Sequence, residues 1–305
     1  MFYPYPLHTG DRIGLVAPSS PITSDRLSQC IQTVSSFGLR IVLGNSCRQS
    51  LHGYLAGADE IRASDINSMF ASPHIRGIFC LRGGYGGTQL MDLLDYSMIR
   101  KNPKIFVGYS DITSLHLAFQ ALSNLVTFHG PMVSSNMVDD FDSYTRQSFF
   151  HTIAMPSKLL FRNPQTSPWK VLVPGCANGR ILGGCLSLVS PSIGTFYQPN
   201  FSGNILFLED IDESLPRCDK LMQHLAHSCI LDQVNGILLG NFVGCTNPND
   251  PNYTIYDYFK DFFSTYNKPV IFGVQSGHAK PMGTLPLGAL CTIDTRNTCI
   301  QFDFC

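Results

Sequence analysis

Short apolar runs alternate with segments of helical periodicity through the first half of this 305-residue chain. The apolar runs predict four buried strands. These are RIGLVA (12–17), LRIVLG (39–44), RGIFCL (76–81) and KIFVGY (104–109). Unbroken apolar strands that alternate with helices are typical of a parallel sheet covered on both faces. We therefore predict an α/β fold with a parallel sheet up to about residue 150.

Three of the intervening segments place apolar residues on one helical face. The residues are Leu27, Ile31, Val34 and Phe37; Ile66, Met69 and Phe70; and Ile112, Leu115, Phe119 and Leu122. For the first of these helices, Ser24 is the predicted N-cap and Gly38 the predicted stop.

The second half has a more β-like pattern, and a proline-rich segment separates it from the first. Strands are predicted at 204–211, 234–244, 268–274 and 288–294. Four prolines fall within 156–174, where we expect them to interrupt regular structure. We predict an N-terminal domain at 1–155, a linker at 156–174 and a β-rich C-terminal domain at 175–305.

Composition excludes several classes of protein. The formal charge of −1 gives no basic face for nucleic acid, and no apolar run approaches the roughly 20 residues that span a bilayer. The N-terminus lacks a basic segment followed by an apolar one, so we expect no secretory signal and a cytoplasmic location. The eleven cysteines contain no Cys-x-x-Cys, and we expect free thiols, mostly in the core, with Cys305 as an exposed exception.

Several predicted strands end in reactive or flexible residues. The run that ends at Leu81 is followed by Arg82-Gly83-Gly84, and the run that ends at Tyr109 by Ser110. Glu209 and His278 follow strands of the second half in the same way. Because ligands bind outside the carboxyl ends of parallel strands, these groups could share one crevice between the domains.

Serine, glutamate and histidine are the three residue types that nucleophilic acyl transfer requires. His278 would take the proton of Ser110, and Glu209 would fix the imidazole tautomer. Backbone N–H groups at Asp111 and in the Gly83-Gly84 turn could stabilise an oxyanion. No cofactor or metal is expected.

Each residue also has a simpler interpretation. Ser110 could only cap a helix, and GYSDI lacks the second glycine of the G-x-S-x-G elbow. Glu209 could be a surface carboxylate with acidic neighbours that compete for its role, and His278 a loop histidine without function. RGGYGG could be an ordinary turn, and Arg82 could bind a substrate carboxylate or pair with an acid. His129 is more simply structural, and HLAHSC (224–229) is a weak metal motif.

Taken together, the motifs resemble the LD-carboxypeptidases, which include muramoyltetrapeptide carboxypeptidases and microcin-immunity peptidases. The matching segments are GDRIGLVAPSSPI, GYLAGADEIRASDINSMF, RGGYGG, GYSDITSLHLA, HGPM, GRILGGCLS, ILFLEDIDE and VIFGVQSGHAKP. The resemblance covers nearly the whole chain.

The resemblance implies a metal-independent serine peptidase with a triad at Ser110, Glu209 and His278. It places the oxyanion-hole N–H groups at Gly84 and Asp111, and Arg82 and Gly83 remain candidates for substrate binding. The N-terminal domain resembles the class I glutamine amidotransferase sheet. The implied activity is removal of the terminal D-alanine from murein tetrapeptides in the cytoplasm, by a homodimer.

Two positions depart from the family pattern: Cys185 stands where asparagine is usual, and Lys220 where arginine is common. Two alternatives stay open. One is a peptidase that hydrolyses a microcin-type peptidyl-nucleotide, and the other is an inactive protein that binds cell-wall peptides. The RGGYGG and GHAKP segments favour the cell-wall branch of the family.

Overall fold

The computed structural model describes residues 1–304, and Cys305 lies outside them. Two sheets contain the strands. The strands are β1 (Arg12–Val16), β2 (Arg40–Leu43), β3 (Ile75–Cys80), β4 (Ile105–Gly108), β5 (Thr127–His129), β6 (Lys158–Phe161), β7 (Lys170–Val173), β8 (Cys176–Cys185), β9 (Ile205–Ile211), β10 (Gly236–Val243), β11 (Val270–Phe272), β12 (Leu285–Leu287), β13 (Leu290–Asp294) and β14 (Cys299–Asp303).

The helices pack around these sheets. They are α1 (Ser24–Ser36), α2 (Asp59–Ala71), α3 (Tyr96–Lys101), α4 (Thr113–Ala118), α5 (Ser143–Ile153), α6 (Leu186–Ser192), α7 (Leu215–His227), α8 (Ile230–Gln233) and α9 (Ile255–Phe262). No helix within residues 1–304 combines the length and apolar character that crossing a bilayer requires.

The first sheet has the strand order β12-β5-β4-β3-β1-β2. The five strands from the first half are parallel, and β12 joins them from the second half as an antiparallel edge strand. The predicted parallel α/β sheet is confirmed. The crossover of β12 ties the two halves of the chain together.

The second sheet has the order β6-β14-β13-β8-β9-β10-β11-β7. Its centre, β8 to β11, is parallel, and the remaining pairs are antiparallel. Helices α6 to α9 accompany this sheet, so the C-terminal half is a mixed α/β structure rich in strands. Glu209 thus lies on a central strand of the second sheet.

Two local predictions are wrong. The N-cap of α1 is Thr23, whose side chain accepts a hydrogen bond from the Arg26 N–H, and Ser24 is the first helical residue. The segment 156–174 contains β6 and β7, the two edge strands of the second sheet. Its prolines lie before, between and after these strands, where no ladder hydrogen bond is lost. The domain division at 155 and 175 stays a prediction.

The predicted core is confirmed in its main features. Leu27, Val34, Ile66 and Phe70 are buried. Of the ten described cysteines, all free, seven are buried, Cys299 is partly exposed, and only Cys176 and Cys229 are exposed. The thiols therefore serve mostly as small core residues.

Arg62 on α2 is a fully buried charged residue that organises the loops above the first sheet. Its guanidinium donates hydrogen bonds to the carbonyls of Gly57, Pro18 and Gly86 and forms an ion pair with Asp59. Since Pro18 follows β1 and Gly86 follows β3, one side chain fixes the loops at two neighbouring strand ends.

We expect Arg62→Leu to lower the free energy of unfolding by about 3 kcal/mol, because leucine leaves three buried carbonyls without a donor. Urea denaturation measures the loss. Arg48→Leu, at an exposed arginine, is the matched control and should change stability by less than about 0.5 kcal/mol. Equal stability of the two variants would contradict the organising role of Arg62.

Candidate active site

Three loops at the carboxyl ends of β1, β3 and β4 meet at Asp111. The buried Asp111 carboxylate accepts hydrogen bonds from the Ser19 hydroxyl at 2.6 Å and from the Gly87 N–H at 2.7 Å. Burial raises the pKa of Asp111, and these two hydrogen bonds oppose the rise. The side chain of Asp111 therefore holds the loops together and is not free for proton transfer.

Ser110 lies at the sharp turn between β4 and the following helical segment, and its φ is +63°. A left-handed conformation is unfavourable for a residue with a side chain, and such strain collects at functional sites. A strained strand-to-helix turn is also the geometry that exposes a nucleophilic serine in elbow motifs. The N-cap positions of the two helical segments here are Tyr109 and Ile112, so the capping interpretation of Ser110 does not hold.

The glycine loop after β3 packs directly against Ser110. A β-carbon at Gly83 would lie 2.9 Å from the Ser110 Cβ and 3.1 Å from its Oγ. Only glycine allows this approach, which brings the Gly83-Gly84 backbone next to the Ser110 hydroxyl. The prediction that RGGYGG and Ser110 share one crevice agrees with this contact.

Glu209 is on β9 and its side chain is fully buried. The register of the adjacent strand β10 shifts between Leu239 and Phe242, opposite this part of β9. The loop after β11 crosses there, because the Asn241 N–H donates to the Ser276 carbonyl at 3.1 Å. Gly277 adopts φ +120°, and a β-carbon at this position would lie 2.5 Å from Glu209 Oε2. Glycine at 277 therefore lets the glutamate reach the next residue, His278.

Glu209 Oε2 and His278 Nδ1 are 2.7 Å apart. Burial raises the pKa of Glu209, while the contact with His278 lowers it. For His278, burial favours the neutral ring, but the hydrogen bond and charge of Glu209 outweigh it and raise the pKa above 6.5. With Glu209 ionised, Nδ1 carries the proton and Nε2 is the free base.

The two halves of the site meet through Tyr109. Its ring centroid lies 4.9 Å from that of His278, and Tyr109 directly precedes Ser110 in the chain. Ser110 and His278 form no hydrogen bond with each other within the described residues. The Glu209–His278 pair is thus assembled, and the turn that carries Ser110 adjoins it through the ring of Tyr109.

The other predicted residues lie around this centre. Gly84 is exposed and adjoins Ser20. Arg82 is also exposed, and it lines a cleft of about 780 Å³ together with Arg26 and Asp139. His129 is buried and stacks edge-on against Tyr109, as a structural residue would.

The two departures from the family pattern differ in position. Cys185 is buried at the end of β8, in register with Glu209, and its thiol contacts Asp210 at 3.3 Å. Lys220 is exposed on α7. Only Cys185 is close enough to the Glu209 region to affect it.

Sequence reasoning missed Tyr109 and the role of the Asp111 side chain. The GYSD segment contains both residues, but only the fold shows that one contacts the imidazole and the other the glycine loop.

Comparison with protein families gives two matches in chain order. The LD-carboxypeptidase N-terminal domain matches residues 13–130, and the LD-carboxypeptidase C-terminal domain matches residues 178–293. The chain belongs to the LD-carboxypeptidase family. It is therefore a peptidase by family, and the predicted resemblance is confirmed.

Individual relatives span almost all of this LD-carboxypeptidase. The probable murein peptide carboxypeptidase of Bacillus subtilis is 34% identical over 302 residues, covering 96% of this chain and 92% of that protein. A muramoyltetrapeptide carboxypeptidase from Oxalobacter formigenes superposes with a TM-score of 0.84 at 28% identity, over 96% of this chain and 98% of its own. The microcin C7 self-immunity protein MccF of Escherichia coli, in complex with glutamyl sulfamoyl guanosine, superposes with a TM-score of 0.90 at 26% identity, over 98% of both chains.

The Glu209–His278 contact gives a prediction that does not depend on catalysis. We expect Glu209→Gln to lower the pKa of His278 by about one pH unit, because the amide removes the charge that stabilises the imidazolium. An NMR titration of the His278 ring protons measures the change.

Glu213→Gln is the matched control, because Glu213 is paired with Arg217 instead of His278. It should leave the His278 titration within about 0.2 pH unit of the unsubstituted protein. A His278 pKa that is unchanged in Glu209→Gln would show that the pair does not form in solution.

Proposed function

We propose that this LD-carboxypeptidase is a serine hydrolase that releases the terminal D-alanine from murein tetrapeptides. The observation that carries the proposal is the buried Glu209–His278 pair beside the strained Ser110 turn. The names of the Bacillus subtilis and Oxalobacter formigenes relatives support the choice of a murein peptide.

In the proposed acylation step, the Ser110 hydroxyl oxygen attacks the carbonyl carbon of the bond before D-alanine. His278 Nε2 takes the hydroxyl proton, and the ionised Glu209 stabilises the resulting imidazolium. The carbon–nitrogen bond then breaks as the imidazolium returns the proton to the leaving amine of D-alanine. The product is an ester between Ser110 and the tripeptide.

In the proposed deacylation step, water attacks the ester and gives a proton to His278. The ester bond breaks, and the imidazolium returns that proton to Ser110. No external oxidant, metal or cofactor is needed for either step, because only protons and one acyl group are transferred. We propose that bound substrate draws Ser110 and His278 into hydrogen-bond contact, as often happens when a free site binds its ligand.

We propose the N–H groups of Gly84 and Asp111 as the oxyanion hole. The contact of Gly83 with Ser110 brings this loop to the nucleophile, and the hydrogen bond from Gly87 to Asp111 fixes the loop from the other end. Arg82 is proposed to bind the substrate's terminal carboxylate, since its guanidinium is exposed at the same strand end.

The proposed setting is the cytoplasm and the proposed assembly a homodimer, as the family resemblance implies. Sedimentation equilibrium on the intact chain tests the assembly. A molecular mass near 33.7 kDa at all concentrations would contradict the dimer.

A second candidate function is hydrolysis of an aminoacyl- or peptidyl-nucleotide. The superposition on MccF, which was solved with glutamyl sulfamoyl guanosine, favours it. Parallel assays with a murein tetrapeptide and an aminoacyl sulfamoyl nucleoside separate the two functions. An inactive peptide-binding protein would cleave neither and would leave Ser110 unlabelled by a serine-directed covalent probe.

We expect Ser110→Ala to reduce D-alanine release at least about 10⁴-fold, because the acyl acceptor is lost. Mass spectrometry of the digested tetrapeptide measures the release. Ser28→Ala, at an exposed serine on α1, is the control and should retain full activity. Full activity in Ser110→Ala, with its melting temperature unchanged, would end the serine mechanism.

We also expect kcat/KM for the tetrapeptide to fall on the acid side with a midpoint above pH 6.5. His278 must be neutral to accept a proton, and its pKa is raised, so activity is lost as pH falls through that higher value. The midpoint should coincide with the His278 pKa measured by NMR. A midpoint that differs from that NMR value by more than about one pH unit would contradict His278 as the base.

A further inference from the structure

Tyr109 occupies the junction between the nucleophile turn and the base. It precedes Ser110, is only 6% exposed, and its ring is inclined at 66° to the His278 ring at a centroid distance of 4.9 Å. Its ring centroid also lies 5.9 Å from that of His129, in an edge-on arrangement, and Asn136 is within hydrogen-bond reach of its hydroxyl. These contacts fix the ring of Tyr109 on several sides.

We propose that Tyr109 is a positioning residue whose aromatic ring orients the His278 imidazole and stabilises the imidazolium formed during acyl transfer. The proposal rests on the serine mechanism proposed above. Tyr109 would then be the third feature that holds the His278 imidazole in place, besides the hydrogen bond to Glu209 and the turn at Gly277.

The physical basis is the charge distribution of the aromatic ring. The negative face of a tyrosine ring attracts a cation within about 6 Å of its centroid, and the effect is stronger in a buried site. A neutral imidazole gains only the weaker edge-to-face contact. In the proposed arrangement the imidazole lies edge-on against that face, so the ring favours the protonated state of His278, which is the state that the proton transfer produces.

The other charged groups that affect His278 are carboxylates, and replacing Tyr109 removes none of them. Glu209, Asp210 and Asp212 each favour the imidazolium. His129, behind Tyr109, is fully buried, and burial holds its pKa well below the usual value, so it carries no charge near neutral pH. A change measured in a Tyr109 variant thus reports the loss of the ring.

Tyr109 could also act as core filling alone, and two substitutions distinguish the roles. Tyr109→Phe keeps the ring and removes only the hydroxyl near Asn136. Tyr109→Leu keeps an apolar side chain and removes the π face. A filling role predicts similar behaviour in both variants, whereas an aromatic role predicts that Phe alone preserves the site.

The test combines an NMR titration of His278 with kinetics on the murein tetrapeptide. In Tyr109→Leu we expect the His278 pKa to fall by about one pH unit and kcat to fall about tenfold, with KM nearly unchanged. Tyr109→Phe should stay within about 0.3 pH unit and threefold of the unsubstituted protein. An unchanged His278 pKa and kcat in a folded Tyr109→Leu protein would overturn the proposal.

Tyr109→Met serves as a second ring-free variant if the leucine variant has a reduced melting temperature. The titration does not require turnover. If the unsubstituted chain releases no D-alanine, the serine mechanism fails, yet the NMR comparison still decides whether the ring supports the imidazolium.

Discussion

The contact between Glu209 and His278 is the interaction on which the arrangement of the site depends. A carboxylate that has lost all contact with water is unfavourable by several kcal/mol unless it is paired. The imidazole at 2.7 Å is its partner, and the shift in β10 and the turn at Gly277 are the local features that bring the two together. Displacing the loop that carries His278 would leave a buried charge alone, so the fold holds that loop firmly.

The first sheet supplies a different kind of rigidity. Arg62 and Asp111 are both buried, and each binds the loops at two or more strand ends. The strained backbone of Ser110 can persist because these surroundings fix it. Ser110, the proposed nucleophile, is thus oriented by the backbone of one sheet, while His278, the proposed base, is oriented by a side chain of the other. Tyr109 is the residue that joins the two systems.

Local sequence patterns were sufficient to predict much of this arrangement. Each apolar run in the first half is a strand, and Ser110 and His278 follow strands as expected. Glu209 lies within β9 instead of after it, because the strand continues to Ile211. The family resemblance was needed to choose these three residues over their simpler interpretations. The crossover of β12 into the first sheet could not be predicted, because a three-residue strand carries little periodicity and its partner is more than 150 residues away. The strands within 156–174 were missed because so many prolines predict interrupted structure. The two strands form nevertheless, because the prolines lie just outside their hydrogen-bonded positions.

The adjacent acids Glu209 and Asp210 show why residue type alone could not decide the role of each. Successive side chains on a strand point to opposite faces, so only one of the two can reach His278. The Asp210 carboxylate instead accepts hydrogen bonds from the Ser187 N–H at 2.9 Å and from the thiol of Cys185. It thereby holds the start of α6 and still contributes negative charge near the imidazole. Cys185 therefore contacts the surroundings of His278 only through Asp210, the carboxylate that points away from the imidazole.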